Sequence, residues 1–278
     1  MSASKIASGA GLRHVRFWLI DSNGYPDGTQ SGSDGYAGTR IEGAKTFTAN
    51  LPDVQTIRHT GDDRVFAQDS LPPTELETAA LTTGKTNLTV DALLTDTLVR
   101  TLGDLQIAVR GTDKQGFEPT VCIYGWRQSV DTDDTAGSNY GRRQYHTVLY
   151  PKARVVPKGG SMAEQTADEN AYNLIPTPVQ KYPWGEAVDE THEGATETIK
   201  FEIKSDNPWV MERYTAPGAV VNFLTDFTPI SAAKCQAWDD GIAATVSAVD
   251  TTNKFITLSA PPSAQSVVVI LYETTDLT

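Results

Sequence analysis

Histidine and cysteine are scarce, cations are outnumbered and long apolar runs are missing; each shortage removes a class of function. The four histidines stand at 14, 59, 146 and 192, and the two cysteines at 122 and 235, in 278 residues. No paired-histidine zinc helix, phosphate loop, dinucleotide fingerprint or nucleophile elbow occurs, so neither enzymatic activity nor a cofactor is expected. The acidic clusters "DTDD" and "QAWDDG" lack the alternating carboxylates and following glycine of a calcium loop. Lysine and arginine total 23 against 35 acids, a formal charge of -12. Gripping a phosphate backbone takes clustered cations, so this chain is expected to repel DNA rather than bind it. The apolar run "FWLI" at 17–20 is far too short for a secretory or membrane-spanning segment, and neither export nor membrane insertion is expected. Cys122 and Cys235 lie in strand-like stretches and read as small buried residues of a reducing compartment, with a disulfide between them left open.

What is present is strand. Apolar residues make up 39% of the chain and charged ones 21%, enough core material to argue against wholesale disorder. The length suits one large domain and one small one. Val, Ile, Thr, Phe and Tyr alternate with polar residues between Gly, Asn, Asp and Pro turns, which predicts a mainly β protein. "RHVRFWLI" breaks at "DSNGYP", a turn signal around Asn23-Gly24. "TRIEGAKTFTANL" alternates, and "TVCIYGWRQSV" and "RQYHTVLYPKARVV" flank a polar hairpin tip at 131–141. "ETIKFEIKS" puts Ile199, Phe201 and Ile203 on one face, the pattern of a half-buried antiparallel strand.

Two helices are predicted. "NLTVDALLTDTLVRTLGDL" places Leu93, Leu94, Thr97, Leu98, Thr101 and Leu102 near one face, with Asp91 as its cap and Gly103 as its stop. "PPTELETAAL" is the weaker pattern, with prolines before its first turn. From about 157 to 195 the alternation fades, and seven acids face two bases around Tyr172, Tyr182 and Trp184. This stretch reads as an extended arm docking on a surface, with plain core packing of the three aromatics as the alternative. After "KSDNPW" five short strand patterns, "AVVNFL", "AKCQAW", "ATVSAVD", "KFITLS" and "SVVVILYE", define a small all-β module at 208–278 with Val267–Leu271 as its central strand.

One stretch invites a chemical reading. "QTIRHTGDDRVFAQDSLPPTE", residues 55–75, sets His59 three and four residues before Asp62 and Asp63, a spacing that suits one ion. A metal needs three or four ligands with support behind them, and these supply at most three, so a charged contact loop is the stronger reading.

The segments "GAKTFTANLPDVQTIRHTGDDRVFAQDSLPPTE", "KTNLTVDALLT", "GFEPTVCIYGWRQSV", "GRRQYHTVLYPKARVVPKGGSM" and "YPWGEAV", in that order, resemble the major tail, or tail tube, proteins of tailed bacteriophages with long tails. The likeness spans roughly 36–204. It implies a tail-tube-type β-sandwich or barrel with one packed helix over 1–204, and the tail module resembles the small immunoglobulin-like domains such proteins carry. It further implies a structural virion protein that forms stacked hexameric rings, assembled in the host cytoplasm, as a conduit for genome ejection. The implied partners are further copies of the chain, with tape-measure, tail-terminator and tail-tip proteins, and double-stranded DNA passes through an acidic lumen without specific binding.

In this reading residues 60–84 are the loop that stacks one ring on the next, with Arg58, Asp62, Asp63, Arg64 and Asp69 as its ionic contacts. The acidic stretch at 157–195 becomes an inter-subunit clasp anchored by Tyr172, Tyr182 and Trp184, and the C-terminal module an outward addition that assembly does not need. Two other readings stay open. One is a tail-tip, terminator or head-decoration protein. The other is a carbohydrate-binding module using Trp209, Tyr214 and Trp238 as an exposed platform.

Overall fold

A computed structural model describes residues 9–21, 24, 26–27, 36–52, 55–61, 64–71, 76–84, 88–103, 105–109, 119–130, 143–163, 166–189 and 194–277. These are mainly strand, with one α-helix among them. In chain order the first strands are β1 (Gly9–Leu19), β2 (Thr39–Arg40), β3 (Ala44–Asn50), β4 (Gln55–Gly61), β5 (Arg64–Leu71) and β6 (Thr78–Thr83). Helix α1 (Leu88–Thr95) precedes β7 (Leu98–Leu102), β8 (Leu105–Val109), β9 (Thr120–Val130), β10 (Arg143–Ala163), β11 (Thr166–Pro176) and β12 (Phe201–Ser205).

Eight of these strands make one sheet in the order β2-β1-β9-β10-β11-β6-β3, with β12 also pairing β10. Strand β10 serves two partners along one edge: Tyr145–Leu149 pair with β12, and Ala153–Ala163 with β11. Between them the register against β9 slips at Tyr150/Ala153. Pro151 falls there, and having no N–H to donate it suits the bend. The sheet curls until β3 nears β1, and Phe47 lies so close to Gly125 that an added Cβ would stand 3.0 Å from its ring. The enclosed face is the first core, with Phe17, Leu81, Ile123 and Leu174 against Val90 and Leu94 of α1.

Because successive side chains of a strand point to opposite faces, the sheet's other side is equally apolar, carrying Trp18, Cys122, Tyr124, Trp126, Tyr145 and Leu149. It is covered by the rest of the chain, which forms β13 (Trp209–Thr215), β14 (Asn222–Leu224), β15 (Cys235–Asp239), β16 (Ile242–Ala244), β17 (Val246–Asp250), β18 (Phe255–Leu258) and β19 (Val267–Glu273). A four-stranded sheet, β13-β19-β15-β16, faces a three-stranded one, β14-β18-β17. Val210, Tyr214, Phe223, Ile256, Val268 and Ile270 fill the space between them. The four-stranded sheet turns Met211, Trp238, Val269 and Leu271 outward onto Trp18, Tyr124 and Trp126 of the large sheet. The C-terminal module therefore shares a core with the first half.

Several expectations change in detail. The long helix stops at Thr95: Asp96 takes φ +50, and the threonine- and valine-rich sequence that follows becomes the β7–β8 hairpin. Leu98, Thr101 and Leu102 thus leave the helix face, and Gly103 at φ +60 turns the hairpin instead of stopping a helix. Asp91 sits inside α1, where its carboxylate accepts hydrogen bonds from the Tyr172 hydroxyl and from Asn170 Nδ2 at 3.0 Å. Of the second predicted helix, 72–75 lie outside the described residues and 78–81 open strand β6, whose Ala79, Leu81 and Thr83 alternate into the interior. The first half of the supposed arm at 157–195 belongs to strands β10 and β11, which pair as a hairpin. All five predicted C-terminal strands are found, joined by β13 and β16, and Val267–Leu271 lies in β19 with a paired strand on either side. Asp240 and Gly241, at φ +47 and +83, form the two-residue turn between Asp239 and Ile242 that the "DG" signal predicts. The polar tip at 131–141 lies outside the described residues.

Candidate functional site

Two hairpins stand apart from the sheets. Strands β4 and β5 pair only with each other among the described residues, from Gln55↔Leu71 to Gly61↔Arg64, leaving a two-residue tip. Arg58, Arg64 and Asp69 lie on these strands, with Arg58 opposite Gln68 and Asp69 opposite Ile57; Asp62 and Asp63 lie outside the described residues. The expected stacking segment of 60–84 is thereby narrowed, since 78–83 belong to β6 in the large sheet. His59 sits on β4 opposite Ala67. Among the described residues no group of three or more His, Cys, Asp or Glu is placed to hold a metal. Leu51 and Leu76 stand where the chain leaves and rejoins the β3–β6 ladder at the root of this hairpin, and both are exposed. Strands β7 and β8 form the second free hairpin, resting on α1.

The aromatic anchors turn inward. Tyr172 belongs to the first core, and burial and its bond to Asp91 push its hydroxyl well above the ordinary range. Tyr182 is buried, stacks on Trp184 at 4.8 Å and tilts against Phe201 at 4.4 Å. Trp184 in turn stacks on Trp238 of β15 at 4.9 Å. One carboxylate oxygen, Oε2 of Glu186, accepts from both indoles, Trp184 Nε1 at 2.8 Å and Trp238 Nε1 at 3.0 Å. Gly241 allows the approach, because a Cβ there would collide with the carbonyl of Gly185. Within the chain the segment is a clasp that holds the return from β11 against the C-terminal module. Trp209 packs on the seam between the large and four-stranded sheets, while Tyr214 and Trp238 are buried, so these three make no exposed platform.

The titratable groups are mostly bound up in structure. Glu212 of β13 is fully buried in the C-terminal core, where it accepts from the Tyr272 hydroxyl, the Tyr214 hydroxyl at 2.8 Å and the Asp226 N–H at 3.0 Å. Burial, aided by the Asp226 charge and opposed by these bonds, pushes its carboxyl up to about 7. His14, edge-on to Trp126 at 4.7 Å, is held neutral by burial and by the Arg16 and Arg40 charges, with its pKa lowered to about 3. Cys122 and Cys235 are free thiols; burial raises both, Cys235 to about 12, so neither is a ready nucleophile. A chain of polar contacts runs inward from the surface, from Arg127 Nε to His146 Nδ1 (3.2 Å), His146 Nε2 to Glu202 (3.0 Å), and Lys200 to both Glu202 (3.2 Å) and Glu77 (2.9 Å), ending at the buried Tyr150 hydroxyl. It borders an open cavity of about 340 Å³ beside Phe47, and its bonds satisfy one another instead of aiming at a common point.

No protein-family model matches the chain, and no curated protein matches it. Sequence reasoning missed Glu212, hidden because a Met-Glu-Arg triplet reads as surface, and Glu186, whose two indole partners lie 2 and 52 residues away. It also missed the free β7–β8 hairpin. The signal for that was present, in four β-branched residues between Thr95 and Thr101.

Proposed function

We propose that this chain is a structural subunit that assembles with copies of itself into stacked hexameric rings, the tail tube of a bacteriophage through which the genome passes. The large curled sheet is then the tail-tube-type domain, and the C-terminal pair of sheets its immunoglobulin-like companion. The reading rests on the resemblance set out above. The observation that carries it is the β4–β5 hairpin, which follows an early strand, pairs with no third strand among the described residues and bears Arg58, Arg64 and Asp69. A two-stranded ribbon is marginal by itself and gains stability from a surface to rest on. The net charge of -12 supports a conduit that does not hold its cargo. Burial of Tyr214 and Trp238 removes the observation that favoured a glycan-binding module.

Negative-stain electron microscopy through a concentration series, with light scattering alongside, tests the reading. Rings or tubes with a central channel are expected from the full-length chain. Reversal of Asp62, Asp63 and Asp69 to Lys is expected to stop stacking while sparing the fold. A monomer at every concentration would defeat the proposal, and normal tubes from the charge-reversed chain would remove the stacking role of the hairpin.

A further inference from the structure

Three donors converge on the buried Glu212 carboxylate, and one of them has a second acceptor within reach. The Tyr272 hydroxyl is committed: it donates to Oε1 and accepts from the Phe227 N–H at 3.2 Å. The Asp226 N–H also donates to Oε1, at 3.0 Å. The Tyr214 hydroxyl has a choice, because its oxygen stands 2.8 Å from Glu212 Oε2 and 3.1 Å from the Leu224 carbonyl, and it has a single proton to give. The two acceptors belong to different sheets, Glu212 to β13 of the four-stranded sheet and Leu224 to β14 of the three-stranded one. Whether Glu212 holds a proton decides between them. An ionised carboxylate can only accept, so it takes the Tyr214 proton. A neutral carboxyl donates from Oε2 to the Tyr214 oxygen, which turns the hydroxyl towards Leu224 with no heavy atom moving. One proton therefore adds a bond across the sandwich.

We propose that the Glu212 proton is a latch: while it is held, Tyr214 ties β13 to β14 and the 225–228 loop stays closed, and when it leaves to water the loop opens. The loop is the part that yields because its closure runs through this site. Of its three bonded amides, Thr225 donates to the Lys254 carbonyl at 2.8 Å, while Asp226 and Phe227 donate to Glu212 and Tyr272. An ionised carboxylate shut into an apolar core lacks hydration, and lifting the loop restores it. Burial holds the Glu212 carboxyl up at about 7 against an ordinary 4.5, with the Tyr272 bond opposing and the Asp226 charge adding to the rise. From the large sheet, Tyr124 of β9 faces the same charge across the seam. The cations of the region are engaged elsewhere. Lys254 donates to the Asp226 carbonyl at 3.1 Å and pairs with Asp276 at 3.8 Å, Arg213 pairs with Asp21 at 3.7 Å, and Arg16 donates to the Gly38 carbonyl at 2.9 Å. Arg16 also lies over the Phe227 ring at 5.0 Å, so opening of the loop loosens a contact between the C-terminal module and the large sheet. The latch goes beyond the assembly reading and does not depend on it.

Amide hydrogen exchange of the full-length chain, corrected for its intrinsic pH dependence, tests this at Asp226 and Phe227. If opening returns Glu212 to its ordinary range, the open state is roughly 50–100-fold more populated at pH 8 than at pH 5, and protection of these two amides is expected to fall by that factor. Amides of β9 that exchange through global unfolding are expected to change only about twofold, because His14, lowered from 6.5 to about 3, offsets Glu212 over the same range. Glu212→Gln, with its fold checked by circular dichroism, keeps the neutral arrangement and is expected to hold its pH 5 protection at pH 8. Wild-type protection at Asp226 and Phe227 that ignores pH, or a fall shared equally by β9, would overturn the latch. So would a folded Gln variant that follows the wild type. The first two outcomes are read on the wild type alone, so the test stands even where the variant does not fold.

Discussion

Glu212 is the residue where burial and chemistry are most at odds. Its carboxyl is pushed up to about 7 from 4.5, so between those pH values the folded chain holds a proton that the unfolded chain has released. Stability from this group is present in full below about 4.5 and is lost as pH rises through 7, a change of about 3 kcal/mol. His14 works the other way. Its pKa falls from 6.5 to about 3, so stability is lost as pH drops below 6.5. From about 4.5 to 6.5 the two slopes oppose each other, and the wild type is expected to be nearly flat there. Glu212→Gln keeps an oxygen for the Tyr272 hydroxyl and the Asp226 N–H, and its amide can donate to Tyr214, whose own hydroxyl is 3.1 Å from the Leu224 carbonyl. The variant removes one slope and leaves the other. Urea midpoints should show Glu212→Gln gaining on the wild type between about pH 5 and about pH 8. Parallel curves over that range would mean that Glu212 is ionised in the fold throughout.

Among the elements, the clasp at 182–186 is held by a single acceptor. Glu186→Ala removes the partner of both Trp184 and Trp238 and is expected to cost about 1–3 kcal/mol, whereas Glu186→Gln retains an oxygen for the two indoles and should cost well under half of that. Negligible losses from both variants in thermal or urea unfolding would place the clasp's strength in ring stacking instead. Such contacts explain what the sequence disclosed and what it withheld. Strands β12 and β18 were legible because clean alternation reports a buried face, and β19 because its unbroken apolar run marks a strand buried on both faces. Strand β6 was misread, as Ala79-Ala80-Leu81 is helix-forming material whose pairing with both β3 and β11 decides the outcome. The acidic half of β11 was misread because Asp168 and Glu169 mask a strand whose reason to exist is β10 beside it. Of the expected contact residues, Arg58, Arg64 and Asp69 fell on a free hairpin, while Tyr172 and Tyr182 are buried and Trp184 half-buried against partners, Asp91, Phe201 and Trp238, that lie 81, 19 and 54 residues away and so were not legible locally.

At the level of the whole molecule, the large sheet is apolar on both faces, and the two faces are covered by different means. One curls around α1 and its own edge strand, and the other depends on residues 209–277 for cover. Trp18, Tyr124 and Trp126 are at most 2% exposed, stack in series at 5.2 and 5.6 Å, and meet Val269 and Leu271 across the seam. Arg16 adds to the join, reaching Phe227 at 5.0 Å over its ring. Rings of this size bury roughly 150–250 Å² each, so a chain ending at residue 207 would open an aromatic patch larger than soluble monomers ordinarily tolerate. That chain is expected to bind a hydrophobic dye, to aggregate without forming ordered tubes, and to melt well below the full-length protein. Supplying residues 208–278 as a separate chain by co-expression should restore solubility through the same seam. A truncated chain that stays monomeric, leaves the dye dark and melts at the full-length temperature would show that the two halves fold without each other, and the shared aromatic core would lose its place as the joint of the molecule.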